Sequence, residues 1–256
     1  MKKLIFSLIA TSLAFTSCKS DEAAANNNSD TSIETAAVNT SKFEELAIEP
    51  CNLLTEEMIT SRFGVSSDQL KLSDYSSKKG KISWTAYCTY SWKKPNFDEI
   101  QERTQAKMLE AMKDGDSKNV MSLVKDFEKP NFEVGLTNMK IYDDNEKAMK
   151  SFIQSHTVPE KKDLEQLNKA IDTESTDKIT DQGKEVGKDM VDGIASNLKF
   201  DKIEGIGSSA YWDHLGSKLD VLYGTVQIGI IMHISENHDE NVAAAKALAQ
   251  EIMAQF

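Results

Sequence analysis

From Ile82 to Trp92 the chain alternates without a break. Ile82, Trp84, Ala86, Cys88, Tyr90 and Trp92 fall on one side, and Ser83, Thr85, Tyr87, Thr89 and Ser91 on the other. Apolar–polar alternation of period two marks a half-buried antiparallel strand, with one face on a core and one facing water. The stretch therefore commits the chain to a sheet with a buried face, and Cys88 lies on that face. Trp84 and Trp92 share it, so both are expected to pack in the core; a ligand platform is the alternative.

The other elements follow from caps and spacing. Thr55 is an N-cap, Glu56 and Glu57 suit the positive end of a helix, Leu54 can staple onto Ile59, and Gly64 stops the helix. Leu70 and Leu72 alternate before a turn at Ser76–Gly80. Asp98 with Gln101 reads as a capping box for a helix through about Met112, and Val120–Phe127 carries a second that ends before Pro130. Phe132, Val134 and Leu136 alternate again, continuing through Met139 and Ile141, and Asp143–Asn145 caps a helix bearing Ala148 and Phe152. Residues 159–198 are highly charged with thin apolar stripes, which predicts a helical hairpin laid against the domain; a partner helix is the functional alternative. Gly183 and Gly187 form a GxxxG there, but in so polar a setting it carries no membrane-dimer meaning. Ile203–Trp212, Lys218–Tyr223 and Val226–Ile234 form a meander turning at Gly224-Thr225, and a closing helix is capped by Asp239 or Asn241. Helix, strands, helix occurs twice, over 53–155 and 200–256. The expected fold is α+β: an antiparallel sheet with helices packed on one face, a helical insertion near 159–198, and an internal duplication as one way to read the repeat.

The start of the chain carries an address. Lys2 and Lys3 precede an apolar run, Leu4–Phe15, that ends in the small residues Thr16 and Ser17. At about a dozen residues it is too short for the ~20 that cross a bilayer, and it reads as a secretory signal peptide over 1–17. Phe15-Thr16-Ser17-Cys18 resembles the lipobox of bacterial lipoproteins, with phenylalanine where leucine is usual. The resemblance implies cleavage before Cys18, which would carry diacylglycerol and an N-acyl chain such as palmitate; an ordinary signal peptide with a chance cysteine is the alternative. Each buried CH₂ contributes ~0.8 kcal/mol, so three acyl chains make a lasting anchor. Lys19-Ser20-Asp21-Glu22 resembles the signal that sends some lipoproteins to the outer face of the outer membrane; a solvated linker start is the alternative. Residues 18–42 are otherwise small and polar, and read as a tether with a root-mean-square reach of roughly 25–30 Å. The folded domain is expected over 43–256.

Composition sharpens this. The 256 residues carry a net charge of −11, which argues against nucleic acid or an anionic lipid surface as partner. With Cys18 given to the lipid, Cys51 and Cys88 are an even pair in an oxidising compartment. A bridge between them closes a loop of about 37 residues, worth roughly 3–4 kcal/mol on the chain-entropy view; two buried thiols are the alternative.

Four blocks then occur in a recognisable order: Pro50-Cys51-Asn52-Leu53-Leu54-Thr55-Glu56-Glu57 with Gly64, Cys88-Thr89-Tyr90-Ser91-Trp92, Gly205-Ile206-Gly207-Ser208-Ser209-Ala210-Tyr211-Trp212, and a closing Ala-Leu-Ala helix. Together they resemble a group of small bacterial lipoproteins without an assigned function. The resemblance covers most of 50–256 apart from 159–198. It implies the lipid and the disulfide, and no reaction.

Reaction signatures are weak. Gly205–Ala210 fits G-x-G-x-x-A, but the dinucleotide fingerprint needs a helix opening there, and Ala210-Tyr211-Trp212 reads as strand, so the glycines are expected in a bulge or tight turn. His233, Glu236, His238 and Asp239 crowd one turn with donors that suit zinc, yet a charged, helix-capping turn is the preferred reading. No G-x-S-x-G, H-E-x-x-H or C-x-x-C occurs. No catalytic, cofactor or metal residue is assigned. The expectation is a non-enzymatic binding module, held through Cys18 at the outer membrane, facing the periplasm or outward, with an envelope protein or polymer as partner. An envelope hydrolase or glycan-active enzyme, and a small-ligand or metal carrier, are the alternatives.

Overall fold

The computed structural model describes residues 38–76, 80–113, 128–174 and 181–256. The expected signal peptide, Cys18, most of the tether and the expected helix over Val120–Phe127 lie outside the described residues. Strands β1 (Lys71–Tyr75), β2 (Tyr87–Lys93), β3 (Asn131–Ile141), β4 (Phe200–Lys202), β5 (Ser209–Asp213), β6 (Lys218–Tyr223) and β7 (Val226–His233) form one open sheet in the order β1-β2-β3-β7-β6-β5-β4. Every pairing is antiparallel. The helices are α1 (Thr40–Ala47), α2 (Glu56–Phe63), α3 (Phe97–Lys113), α4 (Asn145–Ser155), α5 (Lys161–Glu174), α6 (Asp181–Ala195) and α7 (His238–Met253). The α+β class read from the sequence holds.

Two meanders, β1–β3 and β4–β7, meet where their last strands pair, with Val134 opposite Met232 and Leu136 opposite Ile230. On one face Cys88, Val134, Leu136, Val221, Ile228 and Ile230 pack beneath Phe43 of α1, Ile59 of α2, and Leu248 and Ile252 of α7. Each such side chain contributes about 1.5–3 kcal/mol on burial. The helical layer is on one face, as expected, and α4 adds a helix to the other: Ala148 and Phe152 pack on Leu222. Strand alternation explains this, because Val221 faces one layer and Leu222 the other. A two-fold axis relating antiparallel neighbours stands perpendicular to the sheet and would keep the helices after β3 and β7 on one face. They lie on opposite faces, so no such axis relates the two helix, strands, helix halves.

Local signals worked well where they were self-contained. The Thr55 side chain accepts from the Met58 N–H at 3.3 Å, and Gly64 takes φ 64° as the helix stops. Asp144 caps α4 by accepting from the Lys147 N–H at 2.7 Å. Cys51 and Cys88 are bonded, their Cα atoms 5.2 Å apart, which fastens the short 3₁₀ turn Pro50–Asn52 to the start of β2. The hairpin over 159–198 is α5 against α6: Ile171 lies against Gly187, and Asn168 donates to Asp192 at 3.2 Å. Among the described residues no helix is long and apolar enough to cross a membrane.

Five readings differ. Asp98, expected to cap α3 in a capping box with Gln101, lies inside the first turn, because the helix begins at Phe97 and the Ile100 N–H already donates to the Asn96 carbonyl at 3.1 Å. The strand expected from Ile82 begins at Tyr87, because Ser83–Ala86 closes a turn, with Ala86 N–H donating to the Ser83 carbonyl at 2.9 Å. The end of the tether, expected to reach residue 42, belongs to the fold: Asn39 caps α1, Phe43 is fully buried, and the Lys42 ammonium donates to the Gln255 carbonyl at 2.7 Å. Asn237, rather than Asp239 or Asn241, caps α7. Buried Asn241 instead accepts from Ile234 and Ser235 N–H and donates to the Ser235 carbonyl, stitching β7's end to the helix. Short edge strand β4 has no counterpart in the sequence reading.

Candidate functional site

Three places concentrate chemistry. The first is the β1–β2 hairpin. β1 is an edge strand, exposed along all five residues, and Tyr75 stacks on Tyr87 with ring centroids 6.4 Å apart. In the connection, Trp84 is 73% exposed. The expectation that it packs in the core is overturned, and the turn is the reason: the alternation continues through residues that leave the sheet. The Ser83 and Thr85 hydroxyls meet at 2.8 Å and Thr85 N–H donates to Ser83 Oγ at 3.3 Å, so the indole stands on a braced turn. Trp92 keeps the expected role, partly buried between Phe63 and Phe132.

The second is a polar cluster on the α4 side of the sheet. Asp220 is 2% exposed. One oxygen receives His156 Nε2 at 3.0 Å and Lys218 at 2.9 Å; the other receives the Asn138 amide at 3.3 Å. Burial pushes this carboxyl up, but the His156 hydrogen bond and the Lys218 charge outweigh it and hold it below the usual carboxylate range. Gly229 lies opposite on β7, where a Cβ would stand 2.6 Å from the Asp220 carboxylate, so only glycine leaves it room. The His156 ring stacks on Tyr211 at 5.0 Å, and its Nδ1 meets the Phe152 carbonyl at 2.7 Å. Every partner of this histidine is internal, which makes the cluster a brace between α4 and the sheet.

Comparison with known proteins returns nothing. No family model, curated protein or solved structure matches the chain.

The third place gathers residues that the sequence reading did not group. His233, Glu236, His238 and Asp239 do not converge. Glu236 is bonded to Lys94, whose ammonium also lies 4.0 Å from Glu128, and that bond lowers the Glu236 carboxyl. His233 sits across from Glu133, its Nε2 has no hydrogen-bond partner among the described residues, and burial holds its imidazole below the ordinary histidine value. Asp239 lies in the exposed first turn of α7. His238 turns the other way, toward His214 and Asp201, and the ligand atoms of these three lie within 4.8 Å of one another. Asp201 accepts from His214 Nε2 at 2.5 Å, and that bond holds its carboxyl below the usual range. The only sequence signal available was the pair of imidazoles themselves, since 13 residues separate Asp201 from His214. Gly205 and Gly207 have φ of 77° and 60° and lead into β5, as a turn rather than a helix start. A Cβ at Gly207 would stand 2.5 Å from the Leu222 carbonyl oxygen, so the segment crosses β6 at backbone contact.

Proposed function

We propose that the chain is a non-enzymatic binding module, held at a bacterial outer membrane through a lipid on Cys18, whose β1–β2 hairpin docks an extended segment of an envelope protein. The observation that carries it is Trp84. A tryptophan left largely in water on a braced turn, beside a strand that among the described residues has no second neighbour, is the residue type that dominates protein interfaces. An edge strand offers unpaired N–H and C=O groups to which another chain can add. Leu72 and Tyr75, 48% and 47% exposed, give β1 one apolar contact on each of its faces. The anchor reading is supported by the lipobox-like residues and by the bond between Cys51 and Cys88, which leaves Cys18 as the remaining cysteine of the chain. Among the described residues Asp220 is the one buried carboxylate, and it is committed to His156, Lys218 and Asn138. That favours binding over acid–base catalysis.

The test is photo-crosslinking in cells with a photoreactive amino acid at Tyr75, and at Leu215, exposed on the β5–β6 turn, as control. A single protein adduct at position 75 is expected, absent at 215 and lost with Trp84→Ala. Equal labelling at both positions, or an adduct indifferent to Trp84→Ala, would contradict the docking role.

A further inference from the structure

We infer that Asp201, His214 and His238 bind a divalent first-row transition ion, with Zn²⁺ as the reference case. The inference stands on observations separate from those behind the docking hairpin.

The three residues come from different elements, brought together by the fold. Asp201 lies on β4, paired with Trp212 of β5. His214 follows β5, and its backbone N–H donates to the Lys199 carbonyl at 3.1 Å, fixing where the turn leaves the sheet. His238 is the first residue of α7, behind the Asn237 cap, with its ring edge-on to Trp212 at 5.4 Å. The His214 and His238 rings stack at 4.8 Å, only 16° from parallel. Zinc bonds to imidazole nitrogen and carboxylate oxygen run about 2.0–2.2 Å, so donors around one ion stand roughly 3–4 Å apart. The donor atoms lie within 4.8 Å of one another, about 1 Å wider than that spacing at most.

The donor set selects the ion. Two imidazoles and a carboxylate suit zinc and its first-row neighbours, whereas calcium and magnesium take oxygen ligands. Three protein donors leave a coordination position open for water or an incoming group. His214 and Asp201 side chains are 29% and 39% exposed, so an ion can enter from solvent. The hydrogen bond between His214 and Asp201 occupies the place of the cation, and metal bonds to the same two atoms would replace it. Lys199, 3.3 Å from the same Asp201 oxygen, would remain as an outer partner of the carboxylate. Among the described residues, His238 has ring contacts but no hydrogen bond to its ring nitrogens, which leaves them available as donors.

The test uses the full chain carrying Cys18→Ser, so that no free thiol competes, titrated with Zn²⁺ by calorimetry and with Co²⁺ as an absorbing reporter. One ion per chain is expected. His238→Ala and Asp201→Asn should each weaken binding at least about tenfold, and His233→Gln, outside the cluster, should leave it unchanged. Should His238→Ala fail to fold by circular dichroism, the isosteric and partly exposed Asp201→Asn decides alone. Absence of saturable one-to-one binding, or wild-type affinity in Asp201→Asn, overturns the site.

Discussion

Removing the charge of Asp220 would leave His156 and Lys218 pointing into the sheet face without the negative charge they share. Asp220→Asn is therefore expected to cost about 3 kcal/mol, the scale for breaking a buried charged pair, read from chemical denaturation. Its pH dependence has a definite sign. Because the folded carboxyl titrates below the unfolded value of about 3.9, its contribution is full above that pH and disappears as pH falls toward the folded value. The wild-type advantage over Asp220→Asn should stay constant down to about pH 5 and shrink in stronger acid. His233 behaves alike at a higher pH. Burial depresses its imidazole, so the unfolded chain takes up a proton that the folded one resists, and stability falls as pH drops below about 6.5. His233→Leu should flatten that part of the stability–pH curve; an unchanged slope would refute the assignment. Tyr223 supplies a third case: its hydroxyl is buried without a hydrogen-bond partner among the described residues, and burial pushes its titration up. Tyr223→Phe should raise stability by about 1 kcal/mol by removing an unsatisfied polar group, measured by the same denaturant titration.

At the scale of elements, the Cys51–Cys88 bond fastens the turn before α2 to the strand that carries the clearest pattern in the chain. Replacing both cysteines by alanine should cost roughly 3–4 kcal/mol and lower the Tm, with helices and sheet retained by circular dichroism. Elements whose signals lie within a few residues were legible: the Thr55 and Asp144 caps, the Gly64 stop and the Gly224 turn all rest on local hydrogen bonding and backbone sterics. Trp84 was misplaced because alternation records which way side chains would point if the strand continued, while Ser83 hydrogen bonds end it. β4 escaped because three residues are too few for a period, and its place is set by pairing with β5. Asn241 was misread as a cap because its side chain reaches back to β7, a contact that no spacing rule encodes.

For the whole molecule, the sheet class was legible and the convergence of Asp201, His214 and His238 was not. That convergence needs β4, the β5–β6 turn and the start of α7 to meet, which is a product of strand order. The lipid at Cys18 is the claim on which the placement of the domain at an envelope turns. The most direct measurement is the intact mass of the native protein extracted from membranes, before and after reduction with alkylation. The account predicts a chain running from Cys18 to Phe256 that carries one diacylglycerol and one N-acyl group, with alkylation of Cys51 and Cys88 appearing only after reduction. A chain that keeps residues before Cys18, or begins there without lipid and partitions into the aqueous phase, would contradict it.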